Sequence, residues 1–190
     1  MAYVAQRLPK QFLVISGGLA QGAPTDFYAS LTTLAKQHGV RVVLDTNGPA
    51  LAQALKVGVY LFKPSLRELR DLTGQALLDE DAQIAAARQL IESGQAEVVA
   101  LSLGAEGAMV ISATQSWRAR SIPVEVQTTI GAGDSFLSGI VWALSRGDTL
   151  LNAFQYGIAA GAAALLRPGT SLCQASDVHR LLPQVVVHAI

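Results

Sequence analysis

Residues 129–136 read Thr-Ile-Gly-Ala-Gly-Asp-Ser-Phe, so two glycines and one carboxylate stand directly before a long apolar segment. Gly131 and Gly133 let the backbone turn tightly where a Cβ atom would obstruct it. The first N–H groups of the helix that follows would then have no backbone partners. Because such a helix N-terminus carries partial positive charge, this stretch suits a phosphate or a developing anion.

Asp134 adds a carboxylate beside this anion site. A negative group repels a bound phosphate, so its presence is explained if it takes a proton from an attacking hydroxyl group. In the alternative interpretation, Asp134 only caps the helix and the glycines serve only the turn. The spacing of the residues leaves both interpretations open.

The composition narrows the class of protein. The chain has 190 residues, is 51% hydrophobic and 15% charged, and its 14 basic residues balance its 14 acidic ones. This predicts a single domain with a substantial core, and it indicates neither a nucleic acid nor a membrane surface as a partner. Cys173 is the only cysteine in the sequence, which rules out a disulfide within it and favours a cytoplasmic location.

A second apolar segment, residues 150–166, is interrupted by Asn152 and Gln155 and falls short of a membrane span. Gly157 and Gly161 lie four residues apart within it, a spacing that lets a second helix approach closely. We expect that close approach in the core of a folded domain rather than in a membrane.

Short apolar runs alternate with amphipathic segments along the whole chain. Near-continuous apolar strands between helices predict a mostly parallel sheet covered on both faces, a three-layer α/β/α fold. Ligands of such sheets bind beyond the carboxyl ends of the strands, where the glycine-rich and polar segments of this chain follow. The predicted strands are 12–18, 40–44, 59–62, 98–101 and a hairpin of 107–112 with 117–122, and the predicted helices are 24–38, 50–56, 65–72, 80–93, 134–145, 150–166 and 176–182.

Four motifs stand in the order and spacing of one known family. The chain resembles the ribokinase-like sugar kinases of the phosphofructokinase-B family, and residues 169–173 are similar to the 6-phosphofructokinases within it. The motifs are Asp45-Thr46-Asn47-Gly48, Lys63-Pro64 with Glu68, Ser102-Leu103-Gly104 with Gly107, and Thr129 with Gly131-Ala132-Gly133-Asp134.

The resemblance implies ATP-dependent phosphorylation of a sugar phosphate, with Asp134 as the catalytic base. The N–H groups of Gly131, Ala132 and Gly133 would form the anion hole for the transferred group, and Mg²⁺ would accompany ATP. Lys63 would approach the nucleotide phosphates. Three further residues would line the ATP site, although by themselves they are typical of an ordinary tight turn: Ser102, Gly104 and Gly107.

Fructose 6-phosphate is the expected substrate, and tagatose 6-phosphate and fructose 1-phosphate are close alternatives. A nucleotide-binding or assembly module without turnover is the alternative from another class. A dinucleotide oxidoreductase is disfavoured, because the glycine loop lacks the further glycine of that fingerprint and carries Asp134 where the phosphates would lie.

The chain departs from the family pattern at three places. Ser65 replaces the usual Asn of a motif associated with magnesium, and Glu68 of that motif is retained. Ser65 and Glu68 also fit a helix capping box, so a structural role and a magnesium role for Glu68 both stay open. Gly18 stands where relatives carry a hydroxyl that helps hold the sugar phosphate.

The third departure concerns a monovalent cation. In the family, a loop holds K⁺ at positions that correspond here to Thr128, Ile130, Ala164 and Gly169. Arg167 and Pro168 replace a more neutral polar pair in this loop. The Arg167 guanidinium could take the place of the cation, so the resemblance leaves K⁺ binding in question.

The resemblance also implies which part of the family's fold these 190 residues form. In the family, most sugar-phosphate contacts and a small β lid that mediates dimerisation lie before the segment that matches Phe12. We therefore expect residues 1–190 to form the carboxyl-terminal, nucleotide-binding and catalytic part of a ribokinase-like kinase, incomplete at the N-terminus. A homodimer is in doubt without the lid, and the chain made alone is expected to lack kinase activity.

Overall fold

The computed structural model describes residues 8–169 and 171–190, and the chain divides into two compact units. The first unit consists of the described residues up to Leu101 together with Ile111–Gln115. The second consists of Ser102–Val110 and Ser116–Ile190. Within the described residues, no helix is both long enough and apolar enough to cross a bilayer.

Strands and helices alternate in the first unit. Parallel pairing sets Phe12 against Arg41, Val43 against Leu61, and Val59 against Ala96. The elements are β1 (Phe12–Ser16), α1 (Phe27–Gln37), β2 (Arg41–Asp45), α2 (Gly48–Val57), β3 (Val59–Phe62), α3 (Leu66–Thr73), α4 (Glu80–Glu92) and β4 (Ala96–Ser102).

Strands β2, β3 and β4 are mostly buried because apolar side chains occupy both of their faces, whereas Val14 of β1 is 45% exposed. Leu44, Leu61 and Phe62 are fully buried in β2 and β3, and Leu101 is fully buried at the end of β4. Strands that are apolar on both faces belong in a parallel sheet covered by helices, as the sequence predicted.

The second unit contains residues 108–110 of β5, the strands β6 and β7, and the long apolar helices. Within the second unit β6 and β7 pair antiparallel, with Trp117 opposite Ala189 and Ala119 opposite Val187. The elements are a 3₁₀ turn (Gly104–Glu106), β5 (Ala108–Ser112), β6 (Ser116–Ala119), α5 (Ala132–Ser145), α6 (Leu150–Leu165), α7 (Ala175–Leu181), a second 3₁₀ turn (Leu182–Gln184) and β7 (Val187–Ala189).

Helices α5 and α6 pack closely through their glycines. A Cβ atom on Gly139 would lie 2.7 Å from the carbonyl oxygen of Tyr156. On the facing helix, a Cβ atom on Gly157 would lie 2.7 Å from Cγ1 of Ile140 and 2.9 Å from the Phe136 carbonyl oxygen. The prediction that Gly157 serves close helix packing in a core is confirmed.

Several element boundaries differ from the prediction. Helix α1 begins at Phe27 and not at Pro24, because Pro24 starts a turn in which its carbonyl accepts the Phe27 N–H. Strand β6 ends at Ala119 and not at Ile122, since the Ser121 hydroxyl bonds to the Ala105 carbonyl outside the sheet. The two 3₁₀ turns and β7 were not predicted, because three-residue segments carry too little periodicity.

The packing of α5 against α6 predicts different effects for two similar substitutions. Gly157→Ala should lower the free energy of unfolding by about 1–3 kcal/mol, because the added methyl group overlaps neighbouring atoms. Gly161→Ala is the matched control one turn further along α6. There the nearest atoms would lie 3.4 Å from the new Cβ, and the helix gains propensity worth about 1 kcal/mol.

Urea unfolding of the parent protein and both variants measures these effects. We expect the Gly157 variant to be less stable than the parent and the Gly161 variant to be as stable or more so. Equal losses in both variants would contradict the close approach at Gly157.

Candidate functional site

The glycine loop ends in a helix start without a side-chain cap. Gly131 takes the left-handed conformation, with φ of +78°, and is the N-cap residue of α5. Ser135 N–H donates to the Gly131 carbonyl at 2.8 Å. The N–H groups of the three residues between them therefore precede the first backbone hydrogen bond of the helix. Gly133 lies inside the first helical turn, which corrects the expectation that it also serves the tight turn.

The Asp134 side chain lies in the first turn of α5 and is exposed. Among the described residues it accepts no hydrogen bond, so no capping contact engages this carboxylate. A carboxylate in this state, next to unpaired N–H groups, can accept a proton from a bound hydroxyl group. This geometry favours the proton-accepting interpretation over the capping one.

A cavity of about 460 Å³ lies within the second unit. It brings Ser102, Gly104 and Gly107 together with Ala132 and Gly133, whereas Gly131 and Asp134 are not among its lining residues. A cavity of this size, mostly apolar with a few polar groups, is typical of sites for small molecules. The rest of its wall is formed by Ala105, Ala108, Ser121, Ile122, Pro123, Val124, Val126, Thr129, Phe136, Ile158, Gly161, Ala162 and Leu165.

Only a glycine fits at position 107, which lines this cavity. Its φ is +98°, a conformation that other residues rarely adopt. A Cβ atom there would lie 2.2 Å from the Ala119 carbonyl oxygen. No larger residue fits at this point without moving the backbone.

Lys63 lies in the first unit, where an ion pair holds it. Its Nζ atom is 3.1 Å from Oδ1 of Asp45, and the two side chains are 7% and 15% exposed. The Lys63 N–H donates to the Leu44 carbonyl, which aligns the ends of β2 and β3. The sequence did not identify Asp45 as this partner, although a carboxylate directly after a buried strand was a usable signal.

The loop after β1 carries Gly18. Gly18 is exposed, and an added Cβ atom would meet no atom within 4 Å. The Tyr28 hydroxyl lies 3.2 Å from the Gly17 carbonyl oxygen and 3.3 Å from that of Gly18, and the Thr46 hydroxyl donates to the Gly17 carbonyl at 2.7 Å. These contacts tie the loop after β1 to α1 and to the loop after β2.

Ser65 and Glu68 form the predicted capping box at the start of α3. The Ser65 N–H and hydroxyl both donate to Oε2 of Glu68, at 2.7 and 2.9 Å, and the Glu68 N–H donates to the Ser65 hydroxyl oxygen at 3.2 Å. Glu68 also lines a second cavity of about 520 Å³, together with Asn47, Arg67 and Asp71. No group of three His, Cys, Asp or Glu side chains in the described residues is arranged to hold a metal ion.

In the loop expected to hold the cation, three of the four expected residues already take part in hydrogen bonds. Oγ1 of Thr128 accepts the Ile130 N–H at 3.2 Å, and the Ala164 carbonyl accepts the Arg167 N–H at 3.1 Å. Gly169 has a φ of +64° and Ile130 is exposed. Thr170, in the segment used for the family resemblance, lies outside the described residues.

The Arg167 guanidinium is itself engaged. It pairs with Oδ2 of Asp177 in α7 and donates to Oε1 of Gln174 at 3.1 Å. Hydrogen bonds from Arg167, and then from Arg180, hold the pKa of the Asp177 carboxyl below its usual value. The guanidinium therefore ties the end of α6 to α7.

Known proteins resemble this chain in sequence and in fold. A sequence profile described as a pfkB family carbohydrate kinase matches residues 5–177. The chain is 43% identical over 169 residues to the ATP-dependent 6-phosphofructokinase isozyme 2 of Mycobacterium tuberculosis, covering 89% of this chain and 50% of that protein. It is 33% identical to the 1-phosphofructokinase of Borreliella burgdorferi, covering 94% of this chain and 57% of that protein.

Among solved structures, the phosphofructokinase-2 from Escherichia coli in complex with potassium matches with a TM-score of 0.91 and 33% identity. The match covers 96% of this chain and 60% of that one. The chain spans about half the length of the curated relatives it matches. The resemblance and the α/β fold expected from the motifs are confirmed, and the chain belongs to the pfkB family of carbohydrate kinases.

Proposed function

We propose that the protein carrying this chain transfers a phosphoryl group from ATP to a sugar phosphate, with fructose 6-phosphate as the substrate. One observation carries the proposal. The cavity of the second unit ends at Ala132 and Gly133, in the first turn of α5, and the exposed Asp134 carboxylate follows in the same turn. Anion-binding N–H groups and a proton acceptor therefore stand next to each other in the chain.

The proposed step is an in-line displacement. Asp134 accepts the proton of the 1-hydroxyl group of the sugar, whose oxygen forms a bond to the γ-phosphorus of ATP. The bond between that phosphorus and the bridging oxygen breaks, and ADP leaves with the electron pair. The N–H groups of residues 131–133 stabilise the negative charge on the transferred group. The products are fructose 1,6-bisphosphate and ADP.

Lys63 is proposed to bind the nucleotide phosphates. An ammonium held by one carboxylate keeps two of its three N–H donors for other partners. The ion pair with Asp45 orients the Lys63 side chain at the carboxyl end of β3. This orientation supports a role for Lys63 as a fixed cation, with Asp45 as its support.

Magnesium is proposed to be held by Glu68 together with the nucleotide. Mg²⁺ in kinases is bound through one or two carboxylates, substrate phosphates and water, so a single protein carboxylate is a sufficient anchor. The capping box engages Oε2 of Glu68 and does not use Oε1. When bound, the ion neutralises charge on the phosphates.

For the monovalent cation, we propose that K⁺ binds through backbone carbonyls and that Arg167 does not replace it. The pairing of Arg167 with Asp177 supports this assignment, because an arginine already neutralised by a carboxylate is a poor substitute for a free cation. Thr128, Ile130, Ala164 and Gly169 remain the proposed cation residues.

Fructose 1-phosphate is the second candidate substrate, and the 33% identity to a 1-phosphofructokinase favours it. Phosphorus NMR of the protein carrying this chain, and not of residues 1–190 alone, tests the proposal when MgATP and each sugar phosphate are added in turn. Fructose 6-phosphate should give ADP and fructose 1,6-bisphosphate fastest. ATP binding without turnover of either sugar would contradict the proposal and support a nucleotide-binding module.

In a complete version of the enzyme, Asp134→Asn should reduce turnover by about 10²–10⁴-fold, because an amide cannot accept the proton. The dissociation constant of MgATP should change little, since the substitution removes no attraction for phosphate. Asp148→Asn is the control, at a carboxylate just beyond the other end of α5, and should keep full activity. Initial rates with saturating substrates measure both variants, and near-normal turnover of the Asp134 variant would refute its assignment as the base.

Ser65→Ala should lower the free energy of unfolding by about 0.5–2 kcal/mol, the usual effect of removing an N-cap side chain. The magnesium concentration for half-maximal activity should stay unchanged, because the proposed ligand is Glu68. Ser65→Asn should be nearly silent in both measurements, since Asn also caps helices well. A large shift in the magnesium requirement of either variant would show that position 65 itself serves the metal.

A further inference from the structure

The loop of residues 104–108 forms one wall of the cavity. Several of its backbone carbonyls accept no hydrogen bond from within the turn. Within the turn, the Leu103 N–H donates to Gly107 and the Gly107 N–H donates to Gly104. The carbonyls of Ala105, Glu106 and Ala108 instead accept hydrogen bonds from side chains of another segment.

Arg118 lies in β6 and donates two of these three hydrogen bonds, and the Ser121 hydroxyl donates the third. Nη2 of Arg118 donates to the Glu106 carbonyl at 2.7 Å, and its Nη1 donates to the Ala108 carbonyl at 3.2 Å and to that of Ala119. One guanidinium therefore contacts the loop at two places and the end of its own strand at a third. The planar guanidinium holds its N–H donors in a fixed arrangement, so these contacts set the loop's orientation as well as its position.

The same two segments meet at Gly107. Its α-hydrogen points at the Ala119 carbonyl, because a Cβ atom there would lie 2.2 Å from that oxygen. Loop and strand are thus in direct backbone contact, and the Arg118 side chain bridges them beside this contact. Loss of the bridge would free the wall of the cavity at residues that line it, Gly104, Ala105, Gly107 and Ala108.

We propose that Arg118 is a positioning residue for nucleotide binding, which holds the loop of residues 104–108 in the shape that binds ATP. The inference rests on the proposed function, namely that the cavity of the second unit binds ATP. Arg118 does not itself line the cavity, so its effect is exerted through the loop.

The test compares three variants by calorimetric titration with MgATP, at a temperature where near-ultraviolet circular dichroism shows each to be folded. Arg118→Met removes all the donors and keeps the length of the side chain. Arg118→Lys keeps the charge but cannot reach three carbonyls at once. Arg120→Met is the matched control, because Arg120 lies two residues further along and is exposed.

The Met variant should bind MgATP about tenfold more weakly, the scale expected for losing charge-assisted hydrogen bonds that order a site. The Lys variant should fall between parent and Met, and the Arg120 variant should bind like the parent. A residue that only stabilises the hairpin would lower the melting temperature and leave the dissociation constant of the folded protein unchanged.

Unchanged MgATP affinity in the folded Met variant, or an equal loss in the Arg120 variant, would overturn the inference. If the Met variant does not fold, unchanged affinity in the Lys variant overturns it. Absence of MgATP binding by the parent protein would instead refute the proposed function, so the two failures are distinguishable.

Discussion

The close approach of α5 and α6 is the constraint on which the rest of the second unit depends. Gly139 and Gly157 allow the two helix backbones to come within a distance that any Cβ atom would prevent. Phe136 and Phe154 then pack edge to face between them. Because α5 is held along its length, its first turn and the residues before it are held as well. Preorganised donors cost no reorganisation when charge develops, which is the condition for electrostatic catalysis.

Different contacts hold the charged groups proposed for catalysis. Lys63 has a carboxylate partner in Asp45, and Glu68 is fixed through one oxygen by the cap of α3. Asp134 has no such contact within the described part of the chain and is exposed. This contrast fits their proposed roles. A cation or a metal ligand works best when held, whereas a base must keep a lone pair for its proton.

The sequence predicted the alternation of strands and helices well, because long apolar segments carry clear periodicity. It also predicted the capping box of Ser65 and the tight packing of Gly157, each of which follows from local spacing. It did not predict the contacts of Arg118, because three backbone carbonyls brought together by folding leave no pattern in the chain. The prediction that Gly133 serves the tight turn was wrong, because a glycine in a loop motif can lie in the first turn of the helix that follows.

The sequence motifs identify the family, whereas the structure shows which of their residues lie close together. The four motifs were specific enough to identify the family before any fold was known, and the profile match over residues 5–177 agrees with them. The spatial grouping of Ser102, Gly104 and Gly107 with the start of α5 required the structure. The comparisons identify the fold more firmly than the substrate, because both a 6-phosphofructokinase and a 1-phosphofructokinase resemble the chain.

The central claim is that the first turn of α5 binds the phosphate of the nucleotide. Hydrogen–deuterium exchange with and without the non-hydrolysable analogue of MgATP tests it directly, since the N–H groups of residues 132–134 have no helical partner in the free protein. We predict slower exchange in peptides spanning residues 129–136 when the analogue is bound. Unchanged exchange there, with slowing confined to residues 47–52 and 67–72 around the second cavity, would contradict the claim.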